Sequence, residues 1–298
     1  MSPTDYIGRY APSPTGPLHF GSLVAAVASF LDARAHQGRW LIRMEDLDKP
    51  REMPGAADDI LRILEAYGFE WDGEIIYQSQ RHEAYQATLE QLIAADKVYR
   101  CNCSRREVAD IAHAGIEGPV YPGLCRNGLS RERDTIAWRL KTDAAHLIFH
   151  DRIQGDFDHC MQRDIGDFVL KRADGQFAYQ LAVVVDDAEQ NISHVVRGAD
   201  LLNSTSRQIL LQYCLQLPSP VYAHIPLATN AAGDKLSKQT RAEALSIENA
   251  ADSLTQALAF LGLNPPDDLA EFPLAEIWLW AAEHWQLEKV PARLQSNG

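Results

Sequence analysis

The segment Arg9-Tyr10-Ala11-Pro12-Ser13-Pro14-Thr15-Gly16-Pro17-Leu18-His19-Phe20-Gly21-Ser22 joins a short strand-like run to a longer one rich in alanine and leucine. Residues 6–10 read as a strand, and 21–36 as a helix with Gly38 in the position expected of its C-terminal cap. Prolines and glycines stiffen the crossing between them and let its backbone pass close to a ligand. At such a turn the helix N-terminus offers free N–H groups and the positive end of a dipole, which suit a polyphosphate. His19, two residues before Gly21, is placed to hydrogen-bond phosphates as they rearrange.

The same alternation continues outward. Residues 40–44 read as a second strand, and Pro54 as the first-turn proline of a helix that carries Ile60, Leu61, Leu64 and Tyr67 on one face and ends at Gly68. A third helix covers 81–95. Strands alternating with helices of this length define an α/β fold with a Rossmann-like, doubly wound parallel sheet. Four segments follow. Residues 1–100 form the first half of that domain. Residues 101–176 read as an insertion of mixed α+β structure, with strands at 136–140, 147–150 and 168–172 and a turn at Asp174-Gly175. Residues 177–239 resume the α/β pattern, with 181–185 and 192–196 as buried strands and 206–217 as a helix. Residues 240–298 form a small helical region, with helices around 254–261 and 274–285 broken at Pro265 and Pro266.

With 298 residues, 46% of them apolar, the chain has enough material for a real core without disulfides. Three of its five cysteines, Cys101, Cys103 and Cys125, fall within 25 residues, a pattern that favours a reducing compartment and a metal. Three thiolates and one further donor, Tyr121 or His113, complete a closed tetrahedral zinc site of the structural kind. Neither a signal peptide nor an apolar run of membrane-spanning length is present in the sequence, so a soluble cytoplasmic protein is expected. The net charge of −13 argues against holding nucleic acid by bulk electrostatics. A local basic lane is still available from Arg105, Arg106, Arg126, Arg131 and Arg133.

Lys235-Leu236-Ser237-Lys238-Gln239 puts two ammonium groups and a hydroxyl on one short stretch, suited to neutralising the charge of a departing pyrophosphate. This loop and the His19 turn, about 215 residues apart, together resemble the two signature motifs of class I aminoacyl-tRNA synthetases. Ser22 and Gln239 replace the last residue of each motif. The first replacement is expected in the glutamyl and glutaminyl branch, and the second leaves Lys238 in place. Arg43-Met44-Glu45-Asp46, Phe177-Ala178-Tyr179-Gln180 and Val196-Arg197-Gly198 further resemble glutamyl-tRNA synthetases.

That resemblance runs from Tyr6 to about Ser246. It implies His19, Lys235 and Lys238 as catalytic residues, with Pro12, His19, Gly21, Ser22 and Lys238 on ATP, accompanied by Mg²⁺. It implies Arg9, Ala11, Ser13, Glu45, Tyr179 and Arg197 around L-glutamate. Glu45 suits the ammonium group, and two arginines suit two carboxylates. Among the four metal donors it points to Cys101, Cys103, Tyr121 and Cys125. Val183 departs from the family, which carries asparagine there. Only 59 residues follow Gln239, too few for an anticodon-reading domain. The pattern is similar to the shortened branch of the family that loads glutamate onto the queuosine base of tRNA(Asp), and a monomer is expected.

Overall fold

The structure, a computed structural model, describes residues 6–129, 135–229, 243–292 and, for the backbone alone, 295–297. Strand β1 (Ile7–Tyr10) leads into helix α1 (Phe20–Ala35) and then β2 (Arg39–Met44). Helix α2 (Ala56–Ala66), β3 (Ile76–Tyr77), α3 (His82–Ala94) and β4 (Val98–Cys101) complete the first part. The middle holds α4 (Arg105–Ile111), β5 (His113–Gly115), β6 (Gly118–Val120), β7 (Ala137–Leu140), β8 (His146–Asp151), β9 (Gly155–Cys160) and β10 (Phe168–Lys171). Then come α5 (Tyr179–Glu189), β11 (His194–Gly198), α6 (Thr205–Leu215), β12 (Val221–Ile225), β13 (Leu227–Thr229), α7 (Ala250–Phe260), α8 (Leu274–His284) and β14 (Gln295–Asn297).

Two parallel half-sheets make the expected doubly wound core. One has the order β1-β2-β3, the other β11-β12-β8 with β9 added antiparallel at its edge. They meet where Ser193 N–H donates to the Ile7 carbonyl (2.9 Å) and Ile7 N–H to the Ser193 hydroxyl (2.9 Å), so β1 lies beside β11. The segment read as part of an insertion thus contributes β8 to the second half-sheet, while β4, β7 and β10 form a separate antiparallel sheet. One hydrophobic core lies between α1, the first half-sheet and helices α7 and α8; the other gathers α3, α5 and the antiparallel sheet.

Three local readings are corrected. Residues 181–185 are not a strand: they lie inside α5, where every residue from Leu181 to Asp187 is buried. A helix covered on all sides loses its polar stripe, and a short apolar run then has no period to separate it from a buried strand. At the end of α1, Gln37 takes the left-handed conformation (φ 53°), and Gly38 N–H closes the cap on the Ala33 carbonyl (2.8 Å). Gly38 is needed for another reason, because a Cβ there would stand 2.4 Å from the Tyr6 carbonyl oxygen. At the start of α2 the N-cap is Gly55 (φ 80°), and Pro54 precedes the helix.

The two ends of the described chain are joined at one buried acid on α1. Asp32 accepts hydrogen bonds from Tyr6 Oη (2.5 Å), Arg152 Nη1 (2.9 Å) and Trp285 Nε1 (3.3 Å). Replacing it strands a guanidinium, a phenol and an indole N–H together, and losing one partner of a buried ion pair costs about 3–5 kcal/mol. Asp32→Ala should lower the melting temperature by roughly 10 °C, since each kcal/mol shifts a chain of this size by a few degrees. The exposed Glu65→Ala should leave it within a degree or so of wild type in the same thermal denaturation.

Candidate active site

In doubly wound sheets the crevice opens at the C-terminal strand ends where the strand order reverses. Here that point lies between β1 and β11, and it holds a cavity of about 750 Å³. Pro12, Ser13, His19, Gly21 and Ser22 line it from the β1–α1 connection, and Gly198 and Asp200 from the segment after β11. Of the residues expected around glutamate only Ser13 lines it; Ala11, half-buried at the end of β1, and Arg9, Glu45, Tyr179 and Arg197 are not among its lining residues. His19 caps α1: its Nδ1 accepts the Ser22 N–H at 3.3 Å. In the neutral ring an accepting Nδ1 leaves the proton on Nε2. Lys235 and Lys238 lie outside the described residues. The described residues on either side of that segment adjoin the cavity: Leu227 and Ala228 line it, and Leu245 N–H donates to the Leu18 carbonyl (2.9 Å).

A cluster of buried charges lies around the strand ends. Arg9 on β1 and Arg43 on β2 converge on Asp187 of α5, with Arg9 Nε at 3.3 Å and Arg43 Nη2 at 2.8 Å from Oδ1. The Arg43 contact is close but poorly aligned as a hydrogen bond; its Nη1 donates well to Gln190 Oε1 at 2.7 Å. Burial drives the Asp187 carboxyl up, but Arg9 and Arg43 together outweigh it and hold it below the usual carboxylate range. The neighbouring Asp186 serves different partners, Arg81 Nε (2.6 Å), Gln78 Nε2 (2.7 Å) and Tyr85 Oη (2.8 Å). Glu45, just past β2, has Arg43 Nη2 at 3.5 Å. For Glu45 burial wins over the pull of Arg43 and Arg9, and its carboxyl titrates above the ordinary value.

Arg197, only 5% exposed at the end of β11, differs from Arg9 in its company. Its Nε donates to His224 Nε2 (3.0 Å), and its Nη2 to Thr205 Oγ1 (2.9 Å) and the Leu201 carbonyl (3.3 Å). Its Nη1 lies 3.4 Å from Tyr179 Oη. Among the described residues it has no ion pair. Arg197, Glu45, Arg9 and Asp187 all act electrostatically on Tyr179, so the five side chains form one coupled group.

The cysteine segment closes on itself. The sulfurs of Cys101, Cys103 and Cys125 lie within 4.8 Å of one another. Tyr121 Oη lies 3.5 Å from Cys101 Sγ and 3.3 Å from Cys103 Sγ, and Arg139 Nε donates to Cys101 Sγ at 3.2 Å. His113 is on β5 with its Nε2 2.7 Å from the Arg163 carbonyl. The basic lane is thinner than the sequence suggests: Arg126 is committed to the Asp167 carboxylate and the Thr142 carbonyl, while Arg131 and Arg133 lie outside the described residues. Arg105 and Arg106 are exposed at the start of α4.

A family model of tRNA synthetases class I (E and Q), catalytic domain, matches residues 7–264, and the chain belongs to this family. The chain is 60% identical over 288 residues to a glutamyl-Q tRNA(Asp) synthetase of Dechloromonas aromatica, covering 96% of each chain. To one of Chromobacterium violaceum it is 58% identical over 292 residues, covering 98% of this chain and 97% of the relative. Among solved structures, the glutamate-tRNA synthetase of Elizabethkingia anophelis superposes with a TM-score of 0.82 at 24% identity, over 99% of this chain and 68% of that one. The fold and family expected from the sequence are thereby borne out.

One buried imidazole, His224, and one half-buried, His194, give the protein an acid-sensitive window. Burial, more than any neighbour, pulls His224 down to about 4 and His194 to about 4. Between the ordinary histidine value near 6.5 and about 4, the unfolded chain binds more protons than the folded one, so stability falls as pH falls through that window. Urea midpoints taken from pH 7 to pH 4 should decline most steeply there, with an unchanged midpoint counting against neutral buried imidazoles.

Proposed function

We propose that this protein activates L-glutamate with ATP as glutamyl-adenylate, without needing tRNA for that step, and transfers the glutamyl group to the queuosine base in the anticodon of tRNA(Asp). The observation that carries the first half is Arg197, a guanidinium buried next to the cavity-lining Gly198, with only neutral hydrogen-bond partners among the described residues. A buried cation left without an acid favours an anionic ligand, and a substrate carboxylate suits its planar fork. Arg9 is the second cation for a dicarboxylic amino acid. Glu45 is the acceptor for its ammonium group, and Tyr179 and Ser13 are polar neighbours. Pro12, His19, Gly21 and Ser22 bind the nucleotide, and Lys235 and Lys238 meet the phosphates.

In the first step an oxygen of the α-carboxylate attacks the α-phosphorus, the bond to the β-phosphate bridge breaks, and pyrophosphate leaves with its Mg²⁺. Positioning and charge neutralisation suffice, with no protein nucleophile. In the second step a hydroxyl of the cyclopentene-diol attacks the adenylate carbonyl, AMP leaves with the bonding electrons, and an ester forms. The acceptor is supported by relatives that match this chain over nearly their whole length. Purified protein should exchange pyrophosphate into ATP with glutamate and no RNA, Arg197→Ala should raise the glutamate KM at least tenfold, and Lys238→Ala should lower kcat more than it raises that KM. Labelled glutamate should enter tRNA(Asp) only when queuosine is present. Equal labelling of unmodified tRNA, or release of label with the terminal adenosine, identifies a synthetase that charges the 3′ end instead.

The donor set Cys101, Cys103, Tyr121 and Cys125 fits zinc, with soft sulfurs at mutual contact distance and a guanidinium, Arg139, beside one of them to balance negative charge. Four protein donors would leave no open position, so a metal held there would supply a clamp on the loop. Cys103→Ser should lower zinc content below one equivalent and reduce the melting temperature, with glutamate-dependent exchange impaired far less than in Arg197→Ala. Metal-free protein of full stability would count against the site.

A further inference from the structure

Arg197 reaches its carboxylate acceptor only if its guanidinium is held at one angle, and a flexible side chain does not do that unaided. Its Nε donates to His224 Nε2 at 3.0 Å, and behind the ring His224 Nδ1 lies 2.6 Å from Asp151 Oδ2. A guanidinium has no lone pair to offer, so Nε2 must be the acceptor and Nδ1 must carry the ring proton. Asp151 is fixed in turn by three backbone donors on Oδ1: Ile153 N–H (3.0 Å), Gln154 N–H (2.9 Å) and His224 N–H (3.1 Å). Asp151 and His224 are both fully buried. Thr205 completes the frame, accepting from Arg197 Nη2 at 2.9 Å with its hydroxyl 3.2 Å from His224 Nε2.

We propose that Asp151 and His224 are positioning residues for glutamate recognition: Asp151 selects the Nδ1–H tautomer of His224, and His224 then orients Arg197 without neutralising it. The inference rests on Arg197 as a glutamate contact. An acid placed directly on Arg197 would hold its angle equally well but would offset part of the charge that a substrate carboxylate needs. Arg9 shows the contrast: it shares its charge with Asp187, which makes it the weaker of the two cations. Interposing a neutral imidazole keeps the acid one ring farther away. It also occupies Nε, while Thr205 and the Leu201 carbonyl take Nη2. Nη1, with only the 3.4 Å approach of Tyr179 Oη among the described residues, remains as the nitrogen for substrate.

Asp151→Asn tests the tautomer with little change of shape. Its amide oxygen can keep the three backbone donors while its NH₂ faces His224 Nδ1, which drives the ring proton to Nε2, against the Arg197 N–H. In glutamate-dependent ATP–pyrophosphate exchange, Asp151→Asn and His224→Phe should each raise the glutamate KM tenfold or more, with the KM for ATP within twofold and kcat less affected. His224→Gln, whose amide oxygen can stand where Nε2 stood, should recover most of that loss. If Arg197→Ala raises the glutamate KM while folded Asp151→Asn and His224→Phe do not, the proposal is wrong and the substrate site stands. If Arg197→Ala leaves that KM unchanged, the site reading fails and this inference with it. Should the variants not fold, the nitrogen-15 resonances of His224 in the wild-type protein at pH 7 decide: a protonated Nδ1 supports the proposal, and a protonated Nε2 overturns it.

Discussion

The crevice depends on one buried carboxylate. Asp187 comes from the far end of α5 and takes Arg9 from β1 and Arg43 from β2, so it joins a helix to two adjacent strands by charge. With Glu45 3.5 Å from Arg43, two cations face two carboxylates, and removing one partner leaves an uncompensated charge in a medium that screens it poorly. The set explains why the strand ends hold fixed positions in a chain whose net charge is −13. It also divides the cations of the crevice into two kinds. Arg43 is wholly enclosed and serves the framework, whereas the hydrogen-bond partners of Arg197 among the described residues are all neutral.

Most of this was legible in the sequence wherever periodicity or motif residues carried it. The strand, turn and helix around His19 are visible because their apolar periods differ and the turn between them is rich in proline and glycine. Arg9, Glu45, Tyr179 and Arg197 stood out only through family likeness, since each is an ordinary polar residue at a strand or helix end. Four participants were missed. Asp187 lies two residues past the run 181–185 read as a strand, and only the helix that continues through both turns it toward the strand ends. Arg43 lay inside a stretch that had been read for its acids. His224 and Asp151 are 73 positions apart and are brought together only by the pairing of β8 with β12, a long-range register that no local pattern encodes.

The cysteine loop shows a different limit. Spacing marked Cys101, Cys103 and Cys125 as candidates but left Tyr121 and His113 equal as a fourth donor. The choice is geometric: β5 carries His113 off to the Arg163 carbonyl, while Tyr121 packs among the sulfurs. Arg139, which lies over the Tyr121 ring with its guanidinium carbon 4.1 Å from the centroid, could not have been found from the loop at all, because it sits on β7.

The tie between Asp32 and Trp285 sets an order of events during synthesis. Helix α1 leaves the ribosome early, yet the face it turns toward α7 and α8, and the indole that reaches its buried acid, are made only after some 250 further residues. The Trp278 indole, which donates to the Tyr67 carbonyl, arrives just as late. Until then the nascent first half-sheet carries an uncovered apolar helix face and a buried-type carboxylate with no indole partner. Contacts of such sequence separation form slowly, and the exposed surface is of the kind that chaperones hold. The cover that α7 and α8 give α1 is therefore a long-range contact, and the cavity lined by the start of α1 shares that helix.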